Sequence, residues 1–203
     1  MKQTGSVILE YHKAESQGAS SYWTGKVLGR DMKFVRIIVG LAHPTLDRQA
    51  AAAITIGELY RSFAPADYHG LAAAVGSWPE VKNVLMTVCR DLKPDNIVVQ
   101  DEQSRKLVFP ITDALVGKIP FNVLSSVAPA HASTELGRQN VELLINEDRL
   151  HLGHLLEVLD LEKDPSDKAL RYAVNWALEF TAFYPGKKRG PLQLKRVLGT
   201  EGL

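Results

Sequence analysis

Three groups of residues have types and spacings that could do chemistry. His151 and His154 are spaced so that two imidazoles on a helix would share a metal ion, with Glu157 or Asp160 as a further ligand. Two histidines leave such a shell short, and a third would have to come from His131 or His43. The flank of an amphipathic helix is also an ordinary place for histidine, so the preferred reading assigns no metal here. The single cysteine, Cys89, reads as a small core thiol rather than a nucleophile, because it falls beside the apolar face of its own segment. The third group is basic: Lys187, Lys188, Arg189, Lys195 and Arg196 form the dense positive run, and Arg30, Lys33 and Arg36 with Lys26 add charge beside Tyr22 and Trp23. Such residues neutralise phosphates and release counterions, and the neighbouring aromatics offer stacking surfaces to a single strand. An acidic stretch from Glu142 to Asp167 could equally pair with the basic run, which points to a protein partner or a second copy of the chain.

The stretch Arg90-Asp91-Leu92-Lys93-Pro94-Asp95-Asn96-Ile97-Val98-Val99 resembles the catalytic loop of eukaryotic-type protein kinases. That resemblance implies Asp91 as acceptor of a substrate hydroxyl proton and Asn96 as a holder of magnesium. Cys89 stands where the family has histidine, and Phe109-Pro110-Ile111 stands where an Asp-Phe-Gly triplet would follow. Local periodicity gives a plainer account. Ser77-Trp78-Pro79-Glu80 has the form of a capping box, and Val81, Val84, Leu85, Val88 and Leu92 then mark one apolar face of a helix whose last turn holds Asp91. Pro94 ends it.

Around these residues the hydropathy pattern predicts the positioning elements. Ser6–Tyr11, Tyr22–Leu28 and Lys33–Val39 read as strands of an antiparallel meander. Thr45 caps a predicted helix whose body runs from Gln49 to Tyr60, and Leu71–Val75 reads as a short, helix-like apolar segment. Asn96–Gln100 and Lys106–Ile111 read as two strands joined by a hairpin over Asp101–Arg105. The segment from Thr112 to Thr134 reads as a hinge. After it come a short helix around Val141–Ile145, a helix with Leu152, Leu155, Leu156 and Leu159 on one face, and a central helix opening at Asp164-Pro165 and stopped by Pro185-Gly186. The three strands followed by Thr45-Leu46-Asp47-Arg48 are also similar to the opening of ribonuclease H folds, whose active sites gather carboxylates around two divalent metals. That resemblance implies Glu10, Asp47 and Asp101 as the carboxylates. It also implies a helical crossover to a parallel strand after Asp101, where the hydropathy pattern predicts a hairpin.

The expected fold class is α+β: a mostly antiparallel sheet with packed helices over residues 1–112, then a helical portion with a basic tail over 113–203, as two units or one continuous domain. A chain of 203 residues that is 45% hydrophobic can bury a core without disulfide or metal staples, and one cysteine cannot form an internal disulfide. A formal charge of +1 makes any attraction to nucleic acid a matter of local patches. With neither a leader-like segment nor an apolar run of about 20 residues, the expected setting is cytoplasmic, with no membrane contact. The functional expectation is a non-enzymatic binding or assembly subunit that needs no cofactor, has a protein partner or forms a homo-oligomer, and contacts nucleic acid through its basic residues. Two enzymatic alternatives stand beside it: a magnesium-dependent phosphoryl-transfer or nucleotide-binding enzyme using Asp91 and Asn96, and a metal-dependent nuclease or hydrolase.

Overall fold

The structure, a computed structural model, describes residues 8–12, 22–27, 30–43, 49–59, 67–92, 94–115 and 123–180. Its organising element is the apolar run Ile37-Ile38-Val39-Gly40-Leu41-Ala42. A run of this kind, without polar alternation, belongs to a strand covered on both faces, and its large side chains are all 0–1% exposed. It forms the second half of β3 (Arg30–Ala42). β1 (Ile8–His12) and β2 (Tyr22–Val27) precede it as an antiparallel meander, β2 pairing with the first half of β3.

β4 (Gln49–Leu59) follows where a helix was expected, and lies antiparallel between β3 and β5 (Asp67–Gly76). The alanines of this segment favour a helix by only about 0.5 kcal/mol each over β-branched residues, and hydrogen bonding along both edges of the strand outweighs that preference. The segment Leu71–Val75, expected to be helix-like, is part of β5 for the same reason. The capping residue Thr45 lies outside the described residues.

α1 (Trp78–Leu92) then carries the chain back across the sheet. Half of the expected capping box forms: the Ser77 backbone N–H donates to the Glu80 carboxylate at 2.8 Å, while the Ser77 hydroxyl donates to the same carboxylate at 2.7 Å. Val81, Leu85, Val88 and Cys89 are buried on its inner face. β6 (Asn96–Val99) enters parallel to β3, with Leu41 opposite Val99. The expected hairpin after β6 does not exist. Asp101 accepts the Ser104 backbone N–H at 2.7 Å and starts α2 (Glu102–Leu115), whose Ser104, Val108 and Ile111 fall on one buried face. Ser104, Val108 and Ile111 recur at the spacing of one helix face, and Asp101, three residues before Ser104, is the capping signal that the strand reading passed over. α2 leads to β7 (Leu124–Val127), parallel to β6.

The final third also returns to the sheet. α3 (Glu135–Asn146) is followed by β8 (Leu150–His151), which lies parallel to β5. The leucines from Leu152 to Leu159 form a 3-10 turn (Gly153–Glu157) rather than the expected α-helix, opened by Gly153 at φ +52°. α4 (Ser166–Phe180) is central, as its apolar circumference predicts.

The expected mostly antiparallel sheet with a helical C-terminal portion is therefore corrected. Among the described residues the sheet has eight strands, and every ladder formed after α1, β3 with β6, β6 with β7 and β5 with β8, is parallel. Parallel neighbours need crossover connections, and α1 and α2 supply two of them.

Strand alternation divides the core. Val39, Leu41, Ile97 and Val99 pack with α1 and α2, while Ile38, Ala42 and Val98 pack with α4. α4 sits so close to β3 that a Cβ on Gly40 would overlap the Ala169 carbonyl oxygen and lie 2.8 Å from the Ala173 nitrogen. α3 is tied to α4 by buried amides: Asn140 donates to Asn175 Oδ1 at 2.5 Å, and Asn175 Nδ2 donates to the carbonyls of Gly137 and Arg171 at 3.0 and 2.9 Å. Both obstacles to a Gly40 side chain are backbone, which cannot rotate away. Gly40→Ala is expected to cost about 3 kcal/mol, read as a lower urea midpoint with an unchanged m-value.

Candidate functional site at the carboxyl edge of the parallel strands

In open sheets with crossover connections, ligands bind beyond the carboxyl ends of the strands. Here β3, β6 and β7 end side by side, with Leu41 opposite Val99 and Val99 opposite Val127. Continuing the first register by two residues places His43 and Asp101 as neighbours on the α1 and α2 face. The His43 ring packs edge-on against Trp78 at the start of α1, with centroids 6.4 Å apart at 74°. β5 runs parallel to β3, since each is antiparallel to β4, so α1 and α2 both begin at this edge.

The electrostatics follow from those helix starts. The Ser104 backbone N–H, then the Ser104 hydroxyl and the Gln103 N–H, hold the Asp101 carboxyl below its usual range, and His43 adds a smaller contribution. Glu80 is lowered by the Ser77 hydroxyl and N–H. Asp101 is thus an ionised acceptor near an imidazole, suited to attracting a cation or accepting a hydrogen bond from bound water. On the opposite face of the same strand ends stand Ala42 and Gln100, neither ionisable. Among the described residues no three His, Cys, Asp or Glu side chains come together in a way that could hold a metal ion. Asp101 and His43 do not complete a divalent ion's shell between them. Asp47 and the side chain of Glu10 lie outside the described residues.

The other candidates are dispersed. Asp91 is in the last turn of α1, half exposed and paired with Arg90 at 2.7 Å. That hydrogen bond lowers its carboxyl. Asn96 is buried in β6 and donates to Ser126 Oγ on β7 at 2.8 Å. The two side chains that the kinase resemblance would bring to one spot are thus turned to different partners.

His151 lies on β8, opposite His69 in the register and stacked on it, with centroids 4.8 Å apart and rings within 18° of parallel. Stacked rings present faces, not nitrogens, to each other, and the His151 Nδ1 looks towards Asp148 at 3.6 Å. The His154 side chain lies outside the described residues. Arg30, Lys33 and Arg36 all lie on β3, their side chains outside the described residues, as are Lys187, Lys188, Arg189, Lys195 and Arg196 altogether. Cys89 is fully buried, and burial pushes its thiol up to about 12, which leaves it inert as a nucleophile. Asp167, on α4, is raised by burial despite its ion pair with Arg171 at 2.8 Å. Among the described residues no helix is long and apolar enough to cross a membrane.

No family model and no curated protein matches the chain. Among solved structures it is similar to RuvC of Thermus thermophilus at 12% identity and a TM-score of 0.44, covering 72% of this chain and 98% of that one. It is also similar to the fowlpox virus Holliday junction resolvase, at 15% identity and a TM-score of 0.40 over 71% and 96% of the two chains. The same resolvase in complex with Holliday junction DNA matches at 10% identity and a TM-score of 0.38, over 70% and 95%.

Asp101 has a structural duty that can be separated from its charge. Asparagine caps a helix as well as aspartate does, whereas alanine does not. Asp101→Ala is expected to lose about 1 kcal/mol of stability in urea titration, and Asp101→Asn to stay within a few tenths of the parent.

Proposed function

We propose that this chain is a nuclease that seats nucleic acid along the carboxyl edge of β3, β6 and β7 and hydrolyses its phosphodiester bonds there. The observation that carries the reading is the position of Asp101: an ionised carboxylate at the end of the middle parallel strand, followed at once by a helix crossing to the next parallel strand. A carboxylate followed by a helical crossover to a parallel strand is the arrangement that the ribonuclease H resemblance implies after this residue.

In this reading the Asp101 carboxylate accepts a hydrogen bond from the attacking water and orients it. The water oxygen bonds to phosphorus as the bond to the leaving sugar oxygen breaks, the water's proton passing to solvent and the leaving oxygen taking one from it. The orientation of the carboxylate is set by the Ser104 N–H at 2.7 Å, so it does not have to be ordered when substrate binds. Arg30, Lys33 and Arg36 with the basic run from Lys187 to Arg196 supply the sequence-independent grip on the phosphate backbone. The Asp101 carboxylate, with the His43 imidazole as its neighbour, is what the described edge offers to the chemistry.

A second reading is a subunit that binds nucleic acid without cutting it, joined to a protein partner or a second copy. Ala42 and Gln100 favour it, because the strand ends carry no ionisable group on the α4 face.

Cleavage and binding assays separate the two. Labelled single-stranded, duplex and four-way-junction DNA are incubated with the full chain and magnesium or manganese. The nuclease reading expects cleavage that Asp101→Asn reduces at least a hundredfold, a loss of about 3 kcal/mol of transition-state stabilisation, while DNA affinity changes less than threefold. Binding with no cleavage by the parent chain would leave the second reading in its place. Replacing Lys187, Lys188, Arg189, Lys195 and Arg196 by neutral residues is expected to weaken binding and flatten its dependence on salt concentration. Unchanged affinity and slope would remove that segment from the interface.

A further inference from the structure

We propose that Trp78 is a stacking platform for an unpaired base; resting on the reading of the carboxyl edge as a nucleic-acid seat, this makes the substrate a single strand or a form with unpaired bases at that edge. The indole stands level with the strand ends. β5 ends at Gly76 and α1 begins at Trp78. Across β4, Ala42 lies opposite Ala50 and Gly76 lies opposite Gln49, so β3 and β5 finish at the same height. There the Trp78 ring meets the His43 ring, with centroids 6.4 Å apart at 74°. His43 in turn is near enough to Asp101 to act on its charge. Trp78, His43 and Asp101 thus succeed one another along the α1 and α2 face of the edge.

The turn that carries the indole is tied on both sides. Before it, the Ser77 N–H and hydroxyl donate to the Glu80 carboxylate at 2.8 and 2.7 Å, and the Ser77 carbonyl accepts the Val81 N–H at 3.0 Å. The same carboxylate lies over Gly76, where a Cβ would stand 2.5 Å from Glu80 Oε2. After it, α1 runs straight into the core. Trp78 packs against the core shared by α1 and α2 and keeps part of its surface exposed. The His43 ring meets it edge-on and not face to face. A ring fixed in this way loses little freedom when a second ring stacks on it.

Charge decides which part of a nucleic acid such a ring would take. Glu80, two residues further on, is kept ionised by the Ser77 hydroxyl and N–H, and Asp101 is ionised on the other side of His43. Two carboxylates repel a phosphate placed between them. They do not repel the uncharged face of a nucleobase, and their oxygens accept hydrogen bonds from the amino groups on base edges. Stacking on an aromatic side chain tolerates any base, because every base has a π-face. In a duplex those faces are covered by the neighbouring pairs, so the base that reaches Trp78 is an unpaired one.

Fluorescence anisotropy of a labelled single strand and of the matching blunt duplex, titrated with the full chain without added divalent metal, tests this. The ratio of single-strand to duplex affinity is expected to fall about tenfold in Trp78→Leu, which keeps apolar bulk without a π-face. In Trp78→Phe, which keeps a ring, it should stay within about threefold of the parent. An unchanged ratio in Trp78→Leu would overturn the platform and leave the edge as a nucleic-acid seat, whereas a parent chain that binds neither form would overturn both. Should Trp78→Leu fail to fold, the parent decides. Irradiated with a single strand containing 5-iododeoxyuridine and mapped by peptide mass spectrometry, it should carry the adduct on Trp78, and an adduct found only elsewhere overturns the proposal.

Discussion

The structure depends on the burial of β3 between two helical layers. Ile37 to Ala42 cannot face water on either side, so the strand must be central and must be covered twice. α1 and α2 cover one face. α4 covers the other, at a distance set by the missing side chain of Gly40. The remaining strands extend this arrangement outward: β4 and β5 along one edge of β3, β2 along the other edge of its first half, and β6 along that edge of its second half.

That constraint also creates the candidate site. β6 can reach β3 only in parallel after a helical crossover, so the carboxyl ends of β3, β6 and β7 finish together where α1 and α2 begin. Helix starts leave N–H groups unsatisfied, and the chain answers them with Glu80 and Asp101. The same hydrogen bonds that cap the helices keep these carboxylates ionised. Capping and chemistry are thus served by one group at Asp101, and the asparagine and alanine variants separate them.

The far edge of the sheet is built differently. β8 joins β5 over two residue pairs, the second of which is the stacked pair His69 and His151.

The parts legible in the sequence were those decided by neighbours along the chain. The Ser77–Glu80 contact joins residues three apart, and the apolar face of α1, the strands of the β1 to β3 meander and the apolar circumference of α4 each show in the residue pattern of their own segment, so these are written locally. Asp101 capping Ser104 was equally local and readable, though the apolar spacing after it resembled a strand.

Tertiary structure alone decided the rest. Whether the alanines from Gln49 to Leu59 wind or extend depends on β3 and β5 lying on either side, and whether Leu152 to Leu159 form an α-helix depends on Gly153 and on what packs against β5. The placing of His43 near Asp101 and the stacking of His69 on His151 bring together residues far apart in the chain. Their meeting is fixed by strand register, which no local spacing encodes.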